Sequence, residues 1–219
     1  MQARTSGFGS RALVVMGFAM AMAYLEAACV AYLQRAIGIT PARLFPVRDA
    51  SALGGFAAIE VGRELATLVM LWALGWLLGR RALGKLAWTA VAFGVWDIAY
   101  YLWLRVFIDW PHSPGTWDLL FLIPAPWAGP VWAPVAVSVA LVGFGLSVAH
   151  LEHEGRAAHM TRAELAQLLL GGAIVLWAFL WNAGTVLDGG VPRAFPWLLF
   201  VIGLAIGVPA SVRAVRRGA

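Results

Sequence analysis

The sequence predicts an all-α, polytopic membrane protein: a bundle of about six transmembrane helices with a Pro/Trp-rich interfacial or re-entrant segment between the third and fourth. Three observations carry this. The 219 residues are 62% hydrophobic and 12% charged, with a mean hydropathy of +0.80. Soluble domains average about 45–50% apolar and about 25% charged residues, so this inventory cannot cover a water-facing surface. Six apolar stretches each approach the ~20 residues needed to cross a bilayer. Basic residues fall in short clusters between those stretches (Arg80, Arg81 and Lys85; Arg213, Arg216 and Arg217), the pattern of topology determinants. That distribution makes the net charge of +5 a membrane feature and not a nucleic-acid footprint. Residues 1–219 read as a single integral membrane domain whose first partners are membrane lipids, with protein partners in a larger complex as a further expectation.

In chain order the helices are expected at 12–34, 55–79, 87–108, 131–150, 164–187 and 196–212. The first begins after Arg11. The run 12–20 followed by Ala21-Met22-Ala23 also has the form of a signal peptide with a small-residue cleavage site. Cleavage would leave 24–33 too short to span, and the apolar pattern continuing past Glu26 favours a retained helix. The second helix ends near Gly75 and Gly79, and the sixth carries Gly203 and Gly207. Both pairs have the small-xxx-small spacing that lets helices approach closely. Between the third and fourth helices, residues 110–134 hold Pro124, Pro126, Pro130 and Pro134 around the apolar run 119–123. The prolines exclude a continuous regular helix, and the run is too short to cross. It lies in the interface, re-enters, or makes a kinked approach to the fourth helix. Trp110, Trp117, Trp127 and Trp132 suit an interfacial position.

Counting basic residues by loop sets the orientation. With the N-terminus inside, Arg4, Arg11, Arg80, Arg81, Lys85, Arg156, Arg162, Arg213, Arg216 and Arg217 are inner, against Arg35, Arg43, Arg48, Arg105 and Arg193 outer. The positive-inside rule then puts both termini in the cytoplasm, in a bacterial cytoplasmic (inner) membrane.

Ionisable residues inside the apolar stretches mark the candidate site. Glu26, the trio Glu60, Arg63 and Glu64, and Asp97 each cost about 2.5–3.5 kcal/mol at mid-bilayer even on the lenient insertion scale. Such groups persist mainly where they face a bundle interior, a cavity or an opposite charge. The topology puts them at a similar outer depth, with Asp118 capping the same side. Glu60 and Glu64 share a helix face with Arg63 beside them, and Arg63 is expected to neutralise Glu60 at i, i+3. Tyr100 and Tyr101, at i+3 and i+4 from Asp97, are expected to donate to it. At least one of Glu26, Glu64 and Asp97 is left without an opposite charge. Close carboxylates in low dielectric cannot all stay ionised, so they share protons or take an external cation. Trp117, Pro124 and Trp127 are the candidate lid.

A second constellation, His150, Glu152, His153 and His159, could hold zinc or iron, although its alternation with Arg156 and Arg162 suits an ordinary solvated loop. Cys29 is the sole cysteine, which excludes an intrachain disulfide and a cysteine-built metal site, and reads as a small buried hydrophobe. H-E-x-x-H, G-x-S-x-G and P-loop signatures are missing from the sequence, and no cofactor is indicated. Three functions fit: a carboxylate-lined pocket for a cation, a polar headgroup or protons; a structural or assembly subunit of a membrane complex; and an acid–base enzyme acting on a lipid-borne substrate.

Overall fold

The computed structural model describes residues 7–37 and 54–218; Arg4, Arg43 and Arg48 of the topology tally lie outside them. Six helices are long and apolar enough to cross a membrane, and the chain is a helical bundle of the membrane class. In chain order the elements are α1 (Phe8–Ile37), α2 (Gly54–Leu78), α3 (Ala82–Ile108), β1 (Trp117–Phe121), β2 (Trp127–Pro130), α4 (Trp132–His153), α5 (Arg162–Leu180), the short α6 (Ala183–Leu187) and α7 (Trp197–Gly218). The expected fifth helix is thus two pieces, broken at Trp181 and Asn182. Asn182 is buried and gives its side-chain N–H to the Ala194 carbonyl at 3.0 Å, tying the break to the approach of α7.

α3 is the axis of the larger part of the bundle and packs on α1, α2 and α4, while α5 and α7 form an antiparallel pair joined to it mainly through α4 and the strands. Three of the helix termini have a local cause. α3 stops at Asp109, whose left-handed backbone (φ 54°) turns the chain, with its carbonyl held by Arg105 at 3.0 Å. α5 starts with a reciprocal cap: Thr161 Oγ1 accepts the Glu164 N–H, and Glu164 Oε2 accepts the Thr161 N–H, satisfying two of the amides a helix start leaves orphaned. The α4 start has no side-chain cap. Carbonyls of the preceding loop serve instead, Thr116 for the Val131 N–H and Pro114 for that of Trp132. Pro134 falls in the first turn of α4, where its missing N–H costs nothing.

The Pro/Trp-rich segment is an antiparallel β-hairpin. Trp117 faces Pro130, Asp118 faces Gly129, Leu119 faces Ala128 and Phe121 faces Trp127, with a register shift between Leu119 and Phe121. It joins the two parts of the bundle: Phe121 lies against Phe93 and Trp96 of α3, Trp127 stacks on Phe179 of α5, and Trp117 meets Phe195. Both glycine pairs are used inside the chain. A Cβ at Gly75 would strike the backbone around Lys85 and Thr89, and Gly203 lies directly against the Gly171 carbonyl of α5.

At the end away from the hairpin, Arg80 and Arg81 between α2 and α3 give their backbone N–H groups to Glu152 of α4 at 3.3 and 2.7 Å. Glu152 also lies against Gly84, where any side chain would collide with it. Cys29 is exposed, not buried as its chemistry suggests.

Candidate functional site

Five carboxylates are buried among the described residues: Glu164 at the start of α5, and, on four other elements, Glu26 on α1, Glu64 on α2, Asp97 on α3 and Asp118 on β1. Arg63 joins the first two helices. It ion-pairs with Glu26 across α1 and α2 and with Glu60 on its own helix, where Nε donates to Glu60 Oε2 at 3.0 Å. Thr67, one turn along, donates to Glu26 Oε2 at 2.9 Å and is itself fully buried. The expected Glu60–Arg63 pair is therefore present. Glu26 as the second partner of that guanidinium comes from a helix 37 positions earlier, a pairing no local spacing predicts.

Glu64 turns toward the hairpin. Both of its oxygens accept the Leu122 backbone N–H at 3.0 Å, so the strand end is held down onto α2 by a carboxylate. Phe121, next to that amide, forms an aromatic wall with Phe93 and Trp96, and Trp96 stacks on Tyr100.

Asp97 is not oriented by its two tyrosines. Its Oδ2 accepts from Ser138 of α4 at 2.8 Å. Gly94, one turn before Asp97, makes this possible: a Cβ there would come within 2.6 Å of the Ser138 carbonyl and 2.7 Å of Val142, so only glycine lets α4 close to hydroxyl reach. Tyr101 instead gives its hydroxyl to Asp118 Oδ2 at 3.0 Å, and Asp118 Oδ1 accepts its neighbour's amide, Leu119 N–H, at 2.8 Å. A residue four along a helix can reach a strand folded over its end as readily as its own i−4 neighbour, and the strand won because Asp118 is buried against α3. Burial pushes the Asp118 carboxyl up to about 6, against the downward pull of the Tyr101 hydroxyl and the Leu119 amide. Tyr100 packs between Trp96 and Tyr101. Two indole N–H groups at the margin, those of Trp96 and Trp110, are buried with no acceptor among the described residues.

This part of the bundle thus carries five carboxyl groups, counting the half-buried Glu60; two of them pair with the Arg63 guanidinium and three meet neutral donors. Carboxyl groups without an opposite charge can hold protons; among the described residues no three of them gather as a metal-holding group, and the aromatic side chains beside them are of a kind that can face an organic cation.

Of the lid candidates, Trp117 lies against Phe195, Trp127 against Phe179 and Phe121, and Pro124 is exposed at the hairpin tip. The hairpin atoms that touch the carboxylate cluster are the Leu122 amide and Asp118. Sequence reasoning passed over Ser138 as a partner of Asp97, and Glu164, whose carboxylate is gripped by Arg217 at 2.6 and 2.8 Å.

Of the His/Glu constellation, His150, Glu152 and His153 form the last turn of α4 and His159 follows in the loop. His150 meets Glu154 at 3.3 Å, the ring of Phe8 lies against His150 and His153, and Glu152 is taken by the Arg80 and Arg81 amides. Among the described residues no three His, Cys, Asp or Glu side chains gather as a metal-holding group.

Comparison with protein families, curated proteins and solved structures found no match to the chain.

Proposed function

We propose that this chain is an inner-membrane protein whose buried carboxylate cluster binds a cation, in exchange with protons, from the side of the membrane covered by the hairpin. The observation carrying this reading is the charge imbalance: Arg63 pairs with Glu26 and Glu60, whereas Glu64, Asp97 and Asp118 are buried with neutral donors alone among the described residues. Several uncompensated carboxylates cannot remain ionised together in a low-dielectric interior. Protons or an added cation restore the balance, and the two compete for the same oxygens. The wall of Phe93, Trp96, Tyr100 and Phe121 widens the candidates from metal ions to a cationic headgroup. The hydrogen bond from Leu122 to Glu64 makes the hairpin a cover that loosens when Glu64 changes partner.

The orientation follows from the clustering of Arg80, Arg81, Lys85, Arg213, Arg216 and Arg217 at the end away from the hairpin. That end is cytoplasmic by the positive-inside rule, and the cluster then lies toward the outer face. The Gly75 and Gly79 face is filled within the chain by the start of α3, and Gly203 by the Gly171 carbonyl, so these close approaches are used internally.

The test is calorimetric titration of the purified protein in micelles with sodium, calcium and choline chlorides, in two buffers of different ionisation enthalpy. One of the three should bind saturably with a buffer-dependent heat, the sign of proton release. Binding should vanish in Glu64→Gln and Asp97→Asn while thermal unfolding stays cooperative. Absence of binding by all three, or binding unchanged in both variants, would leave the cluster as interhelical glue.

A further inference from the structure

A second feature lies on the other side of α4. A cavity of about 660 Å³ opens between α3 and α4 on one side and α5 and α7 on the other, within the ~300–1,000 Å³ typical of small-molecule sites. Leu86, Phe144, Leu168 and Leu204 supply its wall. Ser147 and Ser211 turn their hydroxyls back onto their own helices, to the Gly143 and Gly207 carbonyls at 2.7 and 3.0 Å, and add no free donor.

The crevice has two unlike ends. Toward the hairpin it stops at the level of Val137, Val175 and Gly203, where the buried cluster of Ala133, Phe179, Phe195 and Phe200 begins and Trp132 stacks on Trp197 at 4.2 Å. At the opposite end it is bounded by Arg216. From Gly203 to Arg216 the wall of α7 runs about 20 Å at ~1.5 Å per residue, against ~15 Å for half a bilayer's hydrocarbon. Arg213 and Arg217 are engaged by Glu164 and Gln167, whereas Arg216 is exposed and has no such partner among the described residues.

We infer that this crevice is a binding site for one anionic phospholipid of the leaflet at the basic end, its acyl chain between α4 and α7 and its phosphate at Arg216. A crevice that is apolar along its length, closed halfway across and cationic at its mouth matches a lipid in charge and in depth. A partner's transmembrane helix would need a groove running the full span and ~10 Å wide. Gly143 and Gly172 report the same opening: a Cβ at either meets nothing within 4 Å, so larger side chains there enter the crevice without striking protein.

Native mass spectrometry of the full chain, in micelles given equal dioleoyl-phosphatidylglycerol and dioleoyl-phosphatidylcholine, tests this. One phosphatidylglycerol should be retained per chain in preference to phosphatidylcholine. Arg216→Gln should lower that preference about fivefold, the weight of one basic residue at an anionic surface. Gly143→Leu with Gly172→Leu should abolish retention of either lipid without lowering the thermal midpoint, since leucine is the better helix former. Equal retention of the two lipids by the natural chain, phosphatidylglycerol held undiminished by the double leucine variant, or a dimer that the leucines dissociate would each overturn the assignment. Should the leucine variant not fold, an Arg216→Gln protein that keeps its full preference overturns it as well.

Discussion

Glu26 and Glu164 are both buried glutamates gripped by arginine from another helix, yet their surroundings are opposite. Glu164 sits in the first turn of α5, accepts the backbone and hydroxyl of Thr161, and faces both Arg217 and Arg213. One negative charge there meets two positive ones and the favourable end of a helix dipole. Glu26 lies in the body of α1 and shares one arginine with Glu60, while Glu64, Asp97 and Asp118 nearby have only neutral donors. The first glutamate is a staple between helix ends. The second belongs to a group whose charge is unbalanced, and such imbalance inside apolar helices is a reason to expect chemistry.

The largest effect expected from this contrast is at Arg63. Arg63→Gln leaves Glu26 and Glu60 without a cation, and denaturant unfolding in micelles should show a loss of about 3–5 kcal/mol, the range for breaking one side of a buried pair. Arg217→Gln should cost less, because Arg213 still faces Glu164. Equal losses would erase the distinction between the two regions.

An intermediate effect is expected from pH. The Asp118 carboxyl is raised by burial from an ordinary 3.8 to about 6, so the folded protein holds this proton more tightly than the unfolded chain does. The contribution is fully present below pH 4 and is lost as pH rises through 6, on the order of 3 kcal/mol in all. Thermal midpoints measured from pH 4 to pH 7.5 should fall across this window, and Asp118→Asn should flatten the profile. A profile that keeps its slope in that variant would move the titration to another group.

The smallest effect sharpens the other side. Thr161→Ala removes the α5 cap and should lower stability by about 1 kcal/mol, with no change in cation binding, as read by unfolding and calorimetry on the same preparation.

The contrast also explains what could be read from residue order alone. Helix count and approximate limits follow from apolar run length, which is a local property. Arg63 with Glu60 follows from helical spacing. The partners that complete the cluster are long-range: Thr67 for Glu26 and Ser138 for Asp97 are each 41 positions away, and Leu122 for Glu64 is 58. No periodicity encodes them. The prolines of 110–134 exclude a helix but do not announce a hairpin, although two short aromatic-rich runs around Pro124 and Pro126 are a turn signal of the right length. Glu164 was legible, since Thr161-x-x-Glu164 ahead of an apolar run is a capping-box signature.

Glu152 fixes more than a turn. By holding the Arg80 and Arg81 amides while lying against Gly84, it rivets α2, α3 and α4 together at one end. A loss of Glu152 would free the α2–α3 turn from α4 at that end, while the Gly94 approach and the Ser138–Asp97 bond would still hold α3 to α4 farther along.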